Sequence, residues 1–237
     1  SLGCVFCQNT EISRGQAGEN VSVERLAEIY LNLQEQGANN INLVTAGHYA
    51  PAVAESLRRA KDMGLQIPVV YNSSGYELPD TLRLLDGLVD MYLPDMKYMD
   101  GELAGKYSHA QNYPDVAKAA LEEMVRQCPV CEFDERGRMK KGVIVRHLLL
   151  PGHVKESKAV LKYLHETYQD QIYISIMSQY TPMPQMITYP ELNRRITTYE
   201  YESVLKEAIS LGLVDGFMQE KSSAKEEYTP PFNLEGL

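Results

Sequence analysis

The sequence predicts an α/β fold, a partial (β/α)6 barrel of parallel strands, on three observations. Short apolar runs alternate with amphipathic helical stretches along almost the whole chain, and such alternation produces parallel β/α units joined by right-handed crossovers. The apolar runs are continuous rather than alternating, as strands covered on both faces require. The 237 residues suit one large domain, because α/β barrels commonly run ~200–250 residues as a unit. A doubly wound open sheet is the second architecture.

The elements follow in order. Residues 21–40 begin with a cap-like Ser22 and place Leu26, Ile29, Tyr30 and Leu33 at helical spacing before Gly37. INLVT (41–45) is a short buried-type strand. Residues 50–64 form a helix with Pro51 in the first turn and Gly64 as its stop. IPVVYN (67–72) is a strand, ELPDTLRLLDG (77–87) a short helix and VDMYLPD (89–95) a strand. A loop leads to the helix at 113–127. The polar stretch CPVCEFDERGRMKKG (128–142) is an inserted loop. VIVRHLLL (143–150) is a strand, 154–168 a helix, IYISIMS (172–178) a strand and 197–212 the last long helix. A short strand at 214–218 and an irregular tail at 224–237 complete the chain.

Composition narrows the function. A formal charge of −9 argues against a nonspecific nucleic-acid binder, which needs a basic surface to neutralise phosphates. No apolar run approaches the roughly 20 residues of a membrane span, and no secretory signal pattern is present. The four cysteines form two C-x-x-C pairs, Cys4/Cys7 and Cys128/Cys131. In a large chain so poor in cysteine this points to metal or redox chemistry in a reducing compartment, hence a cytoplasmic protein. The sixteen tyrosines, against four phenylalanines and no tryptophan, have no functional account at this level.

In parallel α/β folds chemistry collects at the carboxyl ends of the strands. Those ends carry Thr45, Ala46, Gly47 and His48; Asn72, Ser73, Ser74 and Gly75; Asp95 and Lys97; Arg146 and His147; and Ser178, Gln179 and Tyr180. A core alone does not demand so many polar and turn-forming residues there. The plainer readings are a surface ion pair for Asp95 and Lys97, a salt-bridge anchor for Arg146, and satisfied loop or core histidines for His48 and His147. His109, His153 and His165 receive no functional role.

The opening SLGCVFCQN resembles the cluster loop of radical S-adenosylmethionine enzymes, C-x-x-x-C-x-aromatic-C, with Cys4, Phe6 and Cys7 fitting its second half. That spacing places a first cysteine directly before Ser1, so the chain is expected to be cut inside the motif with its first strand upstream. CVFCQNTEIS, NINLVTAGHY, VVYNSSGY, LDGLVDMYLPDMKY, VIVRHLLLPG, SQYTP and YPELNRRIT together resemble an uncharacterised branch of that superfamily related to pyruvate formate-lyase activating enzyme. The resemblance runs over nearly the whole of 1–237, read as a single domain.

The resemblance implies a 4Fe-4S cluster and S-adenosylmethionine as cofactors, reductive cleavage to a 5′-deoxyadenosyl radical, and hydrogen-atom abstraction from a substrate. It implies an electron donor such as flavodoxin or ferredoxin, and a glycyl-radical enzyme as protein substrate. It places Cys4 and Cys7 on iron and Phe6 near the adenine. Thr45, Ala46 and Gly47 fall where activating enzymes carry Gly-Gly-Glu against the methionine amino group, with His48 at the glutamate position. Asn72 and Ser73 fall at an Asp-Thr pair. Asp95 and Lys97 match an Asp-x-Lys element at the methionyl end, where a cation beside a carboxylate is a charge-assisted contact. Arg146 matches an arginine of the same strand, and Gln179 falls near a histidine. Two rivals stand beside this reading: radical modification of another protein or a small molecule, and a non-enzymatic module in which zinc staples Cys4, Cys7, Cys128 and Cys131. Taken alone, Cys128 and Cys131 read as a second metal site, a disulfide switch or a pair of free thiols.

Overall fold

The structure, a computed structural model, describes residues 2–9, 18–213 and 217–218. The motif continuation at 10–17, most of the short strand expected at 214–218 and the tail at 224–237 lie outside the described residues.

In chain order the elements are α1 (Val23–Glu35), β1 (Ile41–Val44), a 3-10 turn (Ala46–Tyr49), α2 (Ala50–Asp62), β2 (Val69–Ser73), α3 (Pro79–Arg83) and β3 (Met91–Pro94). There follow α4 (Gly101–Ser108), α5 (Tyr113–Gln127), β4 (Glu132–Phe133), β5 (Met139–Leu148), α6 (Val154–Tyr168), β6 (Tyr173–Met177), α7 (Thr198–Ser210) and β7 (Phe217–Met218). The main path of the sheet is β1-β2-β3-β5-β6-β7, every neighbouring pair parallel. Strand order thus follows chain order without reversal. A doubly wound sheet would reverse at a switch point, so this is the partial barrel the alternation predicts.

Local chemistry explains the helices. The Ser22 side chain accepts from Arg25 N at the start of α1. Thr197 and Glu200 close a reciprocal capping box at the start of α7. In α2, Val53, Ala54, Leu57 and Ala60 are buried on one face, at the spacing that makes a helix amphipathic. These stripes pack on the sheet residues Val69, Tyr71, Tyr92, Val143, Val145, Ile174 and Ile176, all within one core.

Three expectations are corrected. The loop before residue 113 contains α4, whose start is capped by Asp100 accepting from Glu102 N and Leu103 N. Two glycines in GELAGKYS depress helix propensity and conceal it. The inserted loop at 128–142 holds a hairpin: β4 pairs antiparallel with the first half of β5, and Asp134 accepts from Arg136 N and Arg138 N in the turn. Its charged residues read as loop because the hairpin stands away from the core. The helix expected at 77–87 reaches only Arg83 before breaking into turns.

The ends of β2 and β3 are clamped together. Gly75 has φ +76, and a Cβ there would run into the Asp95 carbonyl. Gly75→Ala therefore carries both left-handed strain and a backbone clash. It should destabilise the fold by more than about 1 kcal/mol in chemical denaturation, and by more than Gly137→Ala, where φ is +72 but no atom lies within 4 Å. Equal losses would remove the clamp.

A charge junction at the carboxyl ends of the strands

Asp95 follows β3 directly and its carboxylate lies between two cations. Lys97 Nζ is 2.6 Å from Oδ2 and Arg146 Nη2 is 2.7 Å from Oδ1. The side chains of Asp95, Lys97 and Arg146 are only 15%, 17% and 23% exposed. The surface ion pair considered from sequence is thus a largely buried triad. Burial alone would raise the Asp95 carboxyl, but Lys97 and Arg146 outweigh it and hold the group below the usual carboxylate range. Burial works likewise against the Lys97 ammonium, and Asp95 overrides it upward.

The backbone of this segment is fixed on all sides. Asp95 N donates to Ser73 O (3.0 Å) and Met96 N to Arg146 O (2.9 Å). The Tyr113 hydroxyl sits 2.8 Å from Asp95 O and 2.9 Å from Ser74 O, and accepts from Lys97 N at 3.1 Å. His147 is the satisfied core histidine the plain reading expects. Nδ1 donates to Met96 O (2.7 Å), which leaves Nε2 to accept from Ser157 Oγ (2.9 Å). Burial drives its pKa down to about 4, so the ring is neutral at pH 7.

The cysteine turn is held against the same segment. Cys7 N donates to Cys4 O (3.2 Å) and Val5 N to Tyr107 O (2.9 Å). Cys4 Sγ lies 3.1 Å from Ser108 Oγ, which lies 3.0 Å from the Tyr98 hydroxyl. Burial pushes the Cys4 thiol up while Lys97 pulls it down, and burial prevails. Phe6 meets Tyr180 edge-on at 6.1 Å between ring centres.

The other residues expected in the site lie at or just after the carboxyl ends of β1, β2 and β6. Thr45 adopts a left-handed conformation, φ 55, and its N donates to Asn72 O (2.8 Å). Ala46 and Gly47 begin the 3-10 turn. Ser73 O accepts from Arg146 Nη2 (3.4 Å). Gln179 makes a weak contact to Met177 Sδ at 3.8 Å. Among the described residues, three buried polar atoms have no hydrogen-bond partner: the Tyr71 hydroxyl, Asp95 Oδ1 and Arg146 Nε. The 2.7 Å Arg146–Asp95 contact is thus an ion pair without hydrogen-bond alignment. Sequence reasoning missed Glu77, Tyr113, Ser108 and Tyr98. The last two bracket a helix it did not predict, and Glu77, in the turn after β2, falls in the stretch read as the start of the helix at 77–87.

Cys128 and Cys131 lie at the other end of the sheet. Cys128 Sγ approaches Asp90 O at 3.5 Å and Cys131 Sγ approaches Gln171 O at 3.5 Å, where β3 and β6 begin. None of the four cysteines is in a disulfide. Among the described residues no three or more His, Cys, Asp or Glu side chains gather to hold a metal ion, so the staple joining both pairs is not formed. No helix among them is long and apolar enough to cross a membrane.

No family model matches the chain. An uncharacterized protein of Methanocaldococcus jannaschii is 29% identical over 211 residues, covering 86% of this chain and 57% of the relative. The chain thus spans little more than half the length of that relative. A domain of pyruvate-formate lyase-activating enzyme from Bacteroides vulgatus superposes with a TM-score of 0.56 at 11% identity, over 76% of this chain and 98% of that one. SuiB of Streptococcus suis bound to S-adenosylmethionine gives 0.60 at 11% identity, over 98% and 51%. The chain has the fold of these radical S-adenosylmethionine enzymes.

The triad makes a stability prediction. Asp95→Asn leaves two buried cations facing each other, and removing one partner of a buried pair costs about 3–5 kcal/mol. Urea unfolding at pH 7 should show a loss of that order. A loss under about 1 kcal/mol would mean that water already screens the junction.

Proposed function

We propose that this chain is the partial-barrel domain of a radical S-adenosylmethionine enzyme, and that the charge junction is where the methionyl end of S-adenosylmethionine binds. The observation that carries the reading is the coincidence of a buried cation, a two-cysteine turn and orphaned polar atoms at one end of the sheet.

The residues fit the implied groups. Cys4 and Cys7 are thiols on one turn, the donor type that holds cluster iron. Lys97 offers an ammonium to the methionyl carboxylate. Asp95 Oδ1 and Arg146 Nε lack hydrogen-bond partners among the described residues and offer a polar ligand an acceptor and a donor. Phe6 and Tyr180 supply an aromatic wall for the adenine. When bound, the reduced cluster and S-adenosylmethionine supply a 5′-deoxyadenosyl radical that abstracts a hydrogen atom.

The chain's own contribution is position. Asp95 holds the Lys97 side chain, and Tyr113 and His147 fix the backbone beneath it. Ser108 holds the Cys4 side of the turn. The substrate in this reading is a protein, with a glycyl-radical enzyme the leading form, and a flavodoxin or ferredoxin supplies the electron. The likeness to an activating-enzyme domain supports that form.

The test uses protein carrying a cysteine directly before Ser1, loaded with iron and sulfide without oxygen and reduced with dithionite. It should release 5′-deoxyadenosine and methionine. Cys7→Ala should abolish release and lower iron content, whereas Cys128→Ala with Cys131→Ala should retain both. Loss of iron in that double variant would assign the second pair to the metal chemistry. A cluster-loaded protein that releases no 5′-deoxyadenosine, even with lysate of the source organism added, would overturn the reading.

A further inference from the structure

Ser108 closes α4 and is 1% exposed. A helical serine often turns its hydroxyl back on a carbonyl of the preceding turn. Buried Ser56 of α2 does so, donating to Val53 O at 2.8 Å. Ser108 Oγ instead leaves its own helix. Among the described residues it meets Cys4 Sγ at 3.1 Å and the Tyr98 hydroxyl at 3.0 Å.

The partners available fix the order of the protons in this chain. Tyr98 is 1% exposed, and a buried phenol needs an acceptor for its proton. Among the described residues Ser108 Oγ is the hydrogen-bond partner of that hydroxyl. Tyr98 therefore donates to Ser108, and the single Ser108 proton is left for Cys4 Sγ. A cysteine bound to a metal has lost its own proton, so its sulfur can only accept, which is the role this order assigns to it.

Both ends of the chain are held in place. The Tyr98 ring meets Tyr113 edge-on at 5.6 Å between centres. Val5 N donates to Tyr107 O at 2.9 Å, and Gln185 Nε2 donates to Val5 O at 3.1 Å. The cysteine turn is thus pinned to the same helix end that carries Ser108. A hydrogen bond to a ligating sulfur draws electron density from it and stabilises the more negative, reduced state of a cluster, which raises the reduction potential. Burial strengthens the effect by keeping water away.

We propose that Ser108, backed by Tyr98, is a positioning residue that holds a hydrogen bond on the Cys4 sulfur and thereby raises the reduction potential of the cluster. The inference rests on the reading given under Proposed function and deepens it. It places a control on electron uptake in α4, outside the cysteine turn itself.

The experiment is an anaerobic redox titration of cluster-loaded protein, followed by the paramagnetic resonance signal of the reduced cluster, with iron content measured on every sample. Ser108→Ala should keep its iron and lower the midpoint. The ratio of reduced to oxidised cluster at a fixed potential should fall about tenfold, which is about 59 mV for a one-electron couple. Tyr98→Phe leaves the Ser108 proton on Cys4 and removes only its polarisation, so its shift should have the same sign and be smaller. Ser56→Ala deletes an equally buried serine that faces Tyr30 of α1, and should leave the midpoint unchanged. Ser108→Ala also strands the Tyr98 hydroxyl, which costs stability. Should that variant fail to fold, Ser108→Ala combined with Tyr98→Phe removes both polar groups together and should show the same fall. An unchanged or raised midpoint in an iron-replete Ser108 variant, or a fall matched by Ser56→Ala, overturns the inference while the proposed function stands. Wild-type protein that takes up no cluster overturns both.

Discussion

The Asp95 carboxylate between Lys97 and Arg146 is the constraint on which the rest of the site depends. It joins three elements: the segment leaving β3, the end of β5 through Arg146, and the end of β2 through the Ser73 carbonyl. A buried triad of this kind is weak evidence for stability, because apolar residues of similar volume often serve as well. Its value lies in placement. The backbone of 95–97 is held by Ser73, Tyr113, Arg146 and His147, so the Lys97 side chain starts from a fixed base. A pre-set cation loses less freedom on meeting an anionic ligand than a mobile one.

The tyrosine excess acquires a meaning here. Tyr71, Tyr92, Tyr98, Tyr107 and Tyr113 are among the largest fully buried side chains. A tyrosine fills core volume while delivering a hydroxyl at its far end. Tyr113 ties the turns after β2 and β3, Tyr98 reaches Ser108 behind Cys4, and Tyr107 meets Glu191 and His153. Phenylalanine would pack equally well but would leave those loop groups unpaired. Tyr71 is the exception: its buried hydroxyl has no hydrogen-bond partner among the described residues.

Much of this was legible in the sequence. The apolar runs located each parallel strand of the main sheet, because strands covered on both faces must be apolar throughout. The strand ends singled out Asp95, Lys97 and Arg146 separately, and parallel strands bring their carboxyl ends to one edge. Sequence could not show that Lys97 is buried: a lysine two residues beyond a strand reads as solvated unless the contacts above it are known. Nor could it show α4, whose glycines argue against a helix that tertiary packing nonetheless stabilises. Glu77 was invisible for a related reason. Its environment is made by Gly47 of the 3-10 turn after β1 and by Tyr71 and Ser73 of β2, and no local pattern reports a carboxyl buried by its neighbours.

The measurement that tests the account most directly is S-adenosylmethionine binding to cluster-loaded Lys97→Ala. Arg146 still pairs Asp95 in that variant, so the triad is reduced rather than left as an isolated charge. If Lys97 meets the methionyl carboxylate, affinity should fall about ten- to a hundredfold, the equivalent of roughly 1.5–3 kcal/mol for a hydrogen bond to a charged group, with iron content and cluster spectrum unchanged. Unaltered affinity in a correctly folded, cluster-replete variant would contradict the account and return the junction to a purely structural role.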